Sequence, residues 1–418
     1  MAFLPLSRGW GVLVVLVVCL LLVPRSFAWQ TTTGLTAPGH QICFDWPMKE
    51  GRNAELADTR NPISDGDQLE DARKEYEEAL KTYRQLAQKD PETYLPYLAA
   101  TLHDLGILDS EQNRLEEARK EFEEALRIYR DLVQKSPESY LPDLAATLNN
   151  LGMVDGNRNL TEEALKTFRQ LAQKDPETYL PHVATTLNNL GILDGGRNQL
   201  NAARKKHEEA LQTYRKLAET DPQSYLPGVA MTLNHLGILD SAQNRIKPAR
   251  NEHEEALETY RRLAQKDPQT YLPYVAATLN NLGMLDRDKY RIEEALRTYR
   301  ELAQKDPQTF LPEVALTLNN LGILDSGRNR MEAARKEYEE ALKSYRELAE
   351  KNPEVYLPDV AMTLNNLGIL DRDQNQMAAA RRECQEALKI YEAFAKQNPE
   401  QFSTDVKRLK KLLEELPR

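Results

Sequence analysis

The residues best placed to do chemistry in this chain are carboxamides. Asparagines stand in pairs at Asn149 and Asn150, Asn188 and Asn189, Asn280 and Asn281, Asn319 and Asn320, and Asn365 and Asn366. Two further places vary the theme, with His103 and Asp104 in one and Asn234 and His235 in the other. A carboxamide offers both a donor and an acceptor, so a ladder of them suits an extended peptide, whose backbone needs both. Each such bond adds only about 0.5 to 1.5 kcal/mol net, so several must act together. The same ladder serves equally well to tie neighbouring parts of the chain to one another, and both readings stand. Ile107, Met153, Ile192, Met231 and Met362 lie among the pairs and offer apolar contact, while no Lys or Arg occupies a paired site, which argues against a clamp for a carboxylate.

A second row consists of Asp109, Asp155, Asp194, Asp240, Asp286, Asp325 and Asp371. Near the C-terminal end of a helix an acid opposes the macrodipole by about 0.3 to 1 kcal/mol, so something local must compensate it. Loop N–H groups or the nearby Arg114, Arg158, Arg197 and Arg245 are one answer, and a row for cations or a basic partner is the other. His207 and His253 fall where Phe122, Phe168, Tyr299 and Tyr338 stand elsewhere, which reads as packing rather than catalysis. No catalytic residue, cofactor motif or metal-ligand spacing is expected. Outside the N-terminal 28 residues only Cys43 and Cys384 remain, too few for a disulfide framework. Asn159-Leu160-Thr161 is a formal glycosylation sequon that is equally explained by a helix start.

What positions these residues is a repeat. Leu-Asn-Asn-Leu-Gly or a near variant occurs seven times, with glycines at Gly106, Gly152, Gly191, Gly237, Gly283, Gly322 and Gly368, at steps of 46, 39, 46, 46, 39 and 46 residues. Gly106 and Gly237 lie 131 residues apart, as do Gly237 and Gly368, so the array looks built from duplicated triplets. Such periods mean stacked units sharing one core, with function on the repeated surface.

Within the unit Tyr94 to Pro137, Leu95-Pro96 starts a first helix with Leu98, Leu102, Leu105 and Gly106 on one face. A loop from Asp109 to Asn113 ends in a capping box, Asn113 with Glu116, repeated as Asn159 with Glu162 and Asn329 with Glu332. The second helix turns Leu115, Ala118, Phe122, Ala125, Leu126 and Tyr129 inward. Five units place their closing proline 31 rather than 24 residues after the glycine, and seven residues at 100° each return the helix face to within about 20°. The expectation is a second helix longer by about 10.5 Å in those units, giving a stepped edge.

This pattern resembles the tetratricopeptide repeat, which places Ala, an aromatic, Ala and Pro at 12, 16, 19 and 24 positions after its Leu-Gly pair. Ala118, Phe122 and Ala125 match after Gly106; Ala164, Phe168 and Pro176 match after Gly152, with Leu171 for the second Ala. The kinesin-light-chain-like subtype is similar in its first helix, read here as Leu357-Pro358-Asp359-Val360-Ala361-Met362-Thr363-Leu364-Asn365-Asn366-Leu367. The family's Trp is Leu148 or Leu102 here, and its Tyr is Asp in all seven units. The resemblance, over residues 69 to 400, implies an all-α, right-handed solenoid of antiparallel helix pairs whose first helices line a concave groove. Asn at these places then contacts a bound peptide's backbone, marking Asn149, Asn150, Asn188, Asn189, Asn234, Asn280, Asn281, Asn319, Asn320, Asn365 and Asn366 as peptide-binding candidates.

At the N-terminus Arg8, an apolar run of 13 residues from Gly11 to Val23, and Ser26-Phe27-Ala28 read as an export signal over residues 1–28, since a spanning helix needs about 20. An uncleaved membrane anchor is the alternative. Residues 29–66, with Trp29 and Trp46, read as an extended leader, 67–401 as the solenoid of seven helix pairs plus a leading helix, and 402–418 as a cap with Leu409, Leu412, Leu413 and Leu416 inward and Lys407, Arg408, Lys410 and Lys411 outside. A net charge of −10 argues against nucleic-acid binding. The whole reads as an exported, non-enzymatic scaffold, periplasmic or extracellular, for a peptide or protein partner. A solenoid that self-associates through its edges is the second reading.

Overall fold

A computed structural model describes residues 66–112 and 114–416; the expected signal and, apart from Gly66, the expected leader lie outside them. The described residues form sixteen helices and no strand. A leading helix α1 (Gly66–Lys89) is followed by seven hairpins: α2 (Pro91–Glu111) with α3 (Leu115–Lys135), α4 (Pro137–Val154) with α5 (Arg158–Lys174), α6 (Pro176–Gly196) with α7 (Leu200–Thr220), α8 (Pro222–Ala242) with α9 (Ile246–Ala264), α10 (Pro268–Asp286) with α11 (Lys289–Lys305), α12 (Pro307–Gly327) with α13 (Met331–Lys351), and α14 (Pro353–Asp373) with α15 (Met377–Gln397). A last helix, α16 (Pro399–Glu415), lies against α15.

Each first helix begins one turn earlier than Leu95-Pro96 implies. Pro91 is its first residue, Asp90 caps it by accepting from Thr93 N at 3.2 Å, and Pro96 lies inside. The proline is tolerated because the carbonyl it leaves without a helical donor belongs to Glu92, at the exposed start of the helix. The proline closing one unit is thus the first residue of the next, its absent N–H falling where no acceptor exists.

The capping boxes are corrected by the structure. Asn159 lies inside α5, whose cap is Asn157, and Asn329 precedes a cap, Arg330, that makes no side-chain bond; Asn113 lies outside the described residues. Asn329 instead adopts a left-handed turn at φ 61°, as do Asn198, Asn244 and Asn375. Asparagine is among the few residues that tolerate this conformation, and the turn lets Arg330 N bond Asp325 O at 2.8 Å, closing the helix end.

The seven-residue difference also sits elsewhere than expected. Second helices of long units have 21 residues (19 in α9) against 17 in the short units, so they grow by about 6 Å, and the first helix is longer too. The missing residues come from both sides of the hairpin tip. Gly106 therefore faces Phe122, while Gly152 faces Thr161, seven positions nearer. Counted back from the closing prolines Pro137 and Pro176, Thr161 stands in the place of Phe122 and Phe168 in that of Tyr129.

The core lies between first and second helices in four hydrophobic clusters along the array, with Ala99, Leu102, Ala118, Phe122 and Ala125 fully buried in the first hairpin. Neighbouring first helices touch at every junction from α2 to α14. Second helices are bridged by long side chains instead, Arg84 with Glu124 and Arg215 with Glu255, both at 2.6 Å. The array therefore curves with its first helices inside. At its end Leu409 and Leu416 are buried beneath α16, and Arg381 donates to Leu416 O at 2.6 Å, while Lys407, Lys410 and Lys411 are exposed.

Candidate functional site

The inner face carries two systems of side chains. The asparagines form the first, and all eleven candidates are buried, from Asn149 and Asn188 at 0% exposure to Asn366 at 7%. Across four of the six junctions the second Asn of one unit donates to the first Asn of the unit before. Asn189 Nδ2 bonds Asn149 Oδ1 at 3.1 Å, Asn281 bonds Asn234 at 3.3 Å, Asn320 bonds Asn280 at 3.2 Å, and Asn366 bonds Asn319 at 3.0 Å. Of the two arrangements the sequence left open, ties between units are what these carboxamides make. Asn150 Oδ1 accepts from Asn149 within its own helix and Asn150 Nδ2 reaches His103 across the junction, while Asn365 Oδ1 has no donor, the following helix α16 carrying no Asn. Asn281 Oδ1 and Asn319 Nδ2 are likewise buried without a partner.

Where His235 replaces the second Asn, the ladder changes course. Asn188 Nδ2 donates to Thr232 Oγ1 at 2.7 Å, and that hydroxyl donates to Gly228 O. His207 Nδ1 donates to Asn188 Oδ1 at 2.9 Å, and His253 Nδ1 to Asn234 Oδ1 at 2.8 Å. Both rings lie against glycines, Gly191 and Gly237, so they pack and also supply ladder donors. Burial holds His103, His182 and His235 down at about 4 and His253 at about 3, with His207 well below the ordinary value, its neighbour His235 adding to the effect. All five rings are neutral at neutral pH.

The second system is a rib of apolar side chains flanking the ladder. Ile107, Ile192, Met231, Ile238, Met284, Ile323 and Ile369 are half-buried along the inner helices, whereas Met153 and Met362 are buried. The inner face is thus an apolar strip over a floor of bonded amides, without a cation among the paired positions. Among the described residues no group of three or more acids, histidines or cysteines could hold a metal ion, and no helix is long and apolar enough to cross a membrane. Cys384 is free and buried against Gly368; Cys43 lies outside the described residues.

The aspartate row is answered by cations from the preceding unit, always 36 residues earlier. Arg73 holds Asp109 at 2.7 Å, Arg119 Asp155 at 2.5 Å, Arg158 Asp194 at 2.6 Å, Arg250 Asp286 at 2.7 Å and Lys289 Asp325 at 2.6 Å; Arg204 with Asp240 and Arg335 with Asp371 complete the row. Of the cations the sequence put forward, Arg114 and Arg245 lie second to these, at 3.7 and 3.6 Å from their own unit's Asp, and Arg158 serves the next unit. Arg197 donates to Gly156 O at 2.8 Å, across the tip of the short unit before it. The constant interval was legible in the sequence. It stays at 36 because it runs from a second helix to the next first helix without crossing a hairpin tip, where unit lengths differ.

Family models for the tetratricopeptide repeat match residues 66–131 and 274–347, and, for a second form of the repeat, 183–223, 229–269 and 360–393. The chain belongs to the tetratricopeptide-repeat family, a class of protein-interaction scaffolds. A search of curated proteins found no match. Among solved structures the chain is similar to BtubC (BKLC) from P. vanneervenii, at 19% identity over 67% of this chain and 92% of that one, with a TM-score of 0.32. It is similar to the apo quorum sensor NprR from B. thuringiensis, at 16% identity over 73% and 82%, with a TM-score of 0.44. A tetratricopeptide repeat protein from Parabacteroides merdae matches at 15% identity over 76% and 97%, with a TM-score of 0.39.

Proposed function

We propose that the chain is an exported, non-enzymatic scaffold that binds a peptide or protein partner along its inner face. The half-buried rib carries this reading: seven apolar side chains remain partly open beside a ladder that already satisfies most of its own bonds. Contact area comes from the rib, since the carboxamides beneath it are buried. The apolar run from Gly11 to Val23, followed by Ser26-Phe27-Ala28, supports export.

The test is a selection of random peptides against the full chain produced in a secretory host, where the mature protein should begin at Trp29. Ile192→Asp and Ile238→Asp should each weaken selected peptides about tenfold or more while shifting the melting temperature by no more than a few degrees, because a charge on the strip repels apolar contact without entering the core. Peptides bound equally by wild type and both variants would remove the inner face from the binding site.

A further inference from the structure

At four of the seven units the aspartate of the row has a second acid beside it. Glu121 neighbours Asp109, Glu252 neighbours Asp240, Glu337 neighbours Asp325 and Glu383 neighbours Asp371, each Glu coming from the second helix of the same hairpin. The four aspartates are 0% exposed, and Glu252 and Glu337 have side chains only 15% and 16% exposed. Oε2 of every one of these glutamates is buried without a hydrogen-bond partner, as is one oxygen of Asp240, Asp325 and Asp371. At the other three units the place of this Glu is taken by Leu160, Lys206 and Arg291, none of them an acid.

The surroundings hold fewer cations than carboxyl groups. Around Asp240 and Glu252 stand Arg204 and Arg245 with a third acid, Glu208. Lys289 and Arg330 face Asp325, Glu337 and Glu293. Arg335 and Arg382 face Asp371 and Glu383, with Glu339 bridged to Arg335 and with Arg372 beside them, itself paired to Asp373. Arg73 and Arg114 face Asp109 and Glu121, with Glu117 alongside and Glu77 bridged to Arg73. Two adjacent buried carboxylates repel strongly, and a single proton between them turns that repulsion into a hydrogen bond.

We propose that these four helix junctions are proton-operated: each Asp and Glu pair holds one proton at mildly acidic pH, and its release to solvent as the medium turns alkaline loosens the contact between the two helices of the hairpin. Burial, reinforced by the adjacent aspartate, pushes Glu121 and Glu383 up to about 8 and Glu252 and Glu337 up to about 7. With folded values above the unfolded one of 4.5, the stabilising effect is fully present below about 4.5 and is lost as pH rises through 7 to 8. The device sits on the side of the hairpins, apart from the apolar rib, and does not depend on what the inner face binds.

Hydrogen exchange followed by mass spectrometry on the full chain, from pH 5.5 to 8.5 and corrected for intrinsic exchange, tests this with internal controls. Protection at the junctions of Asp109, Asp240, Asp325 and Asp371 should fall roughly tenfold more than at those of Asp155, Asp194 and Asp286. The variant carrying Glu121→Gln, Glu252→Gln, Glu337→Gln and Glu383→Gln keeps the shape of the protonated acid and should abolish the difference. Glu383→Gln alone, read at its own junction, gives the same answer should the fourfold variant fold poorly. An equal response at all seven junctions, or a Gln variant with the wild-type profile, would overturn the proposal.

Discussion

Long and short units solve one packing problem with different residues at the hairpin tip. In long units the inner glycine faces Phe122, His207, His253, Tyr338 or Cys384, and an asparagine turns the chain at Asn198, Asn244, Asn329 and Asn375. In short units the glycine faces Thr161 or Ile292, the turn falls on Gly156 or Arg287, and Asn157 or Asp288 caps the second helix. The bonds between units show what is conserved across this difference. Arg215 meets Glu255 across 40 residues, whereas Arg261 meets Glu294 across 33, because a short tip lies between the second pair. Seven residues are close to two full turns, so removing them from the tip leaves every outward face in register. Length varies at the tip, where a single arginine of the next unit reaches a backbone carbonyl, which lets a regular stack contain irregular units.

The largest effect should follow from disturbing the glycine contact in a long unit. A Cβ on Gly237 would stand 2.7 Å from the ring of His253, whereas a Cβ on Gly195 at the tip meets Leu239 at 3.6 Å and Ala203 at 4.0 Å, both ordinary contacts. Gly237→Leu should lose about 3 kcal/mol or more and Gly195→Ala less than about 0.5 kcal/mol, as thermal melts can measure. Equal losses would mean that the tip is as tightly packed as the helix crossing.

Next in size is the acid response, which distinguishes the histidine-bearing long units from the rest. The neutral buried rings of His103, His182, His207, His235 and His253 have folded values far below 6.5, so the unfolded chain takes up protons first. Their contribution is intact above about 6.5 and is lost as pH falls towards 4. The carboxyl pairs act with the opposite sign, so stability should be greatest between the two. His253→Phe, which installs the residue type of Phe122 and leaves Asn234 Oδ1 its donor from Asn281, should move the acid unfolding midpoint to lower pH. An unchanged midpoint would exclude His253 as a source of acid sensitivity.

The same comparison shows what could be read from the sequence. Helix pairs were legible because Leu98, Leu102 and Leu105, and Ala118, Phe122 and Ala125, recur at helical spacing, a signal carried by local residues alone. Tips were misread because counting forward from Gly152 aligns Phe168 with Phe122, and only the tertiary contact with Thr161 shows that the count crosses the deletion. The Asn ladder was visible as a pattern, but whether its amides meet a ligand or each other depends on how closely neighbouring first helices approach. Asn329, which turns the chain before a long second helix, reads in the sequence as a cap, since capping and left-handed turns draw on the same residue.

The smallest effect concerns the two short tips themselves. Gly156 and Arg287 occupy equivalent turns, at φ 57° and 56°, and the carbonyl of each accepts a bond from an arginine of the next unit, Arg197 and Arg328. A side chain in this conformation crowds its own carbonyl by about 1 kcal/mol, an expense glycine avoids at the price of greater freedom in the unfolded chain. The two terms nearly offset, and the bond to Arg328 uses a backbone atom that substitution leaves in place. Arg287→Gly should therefore raise stability by no more than about 1 kcal/mol, seen as a small rise in melting temperature. A clear fall would mean that the Arg287 guanidinium, rather than its turn, secures the second short tip, and that the two short units are alike in backbone but not in what holds them.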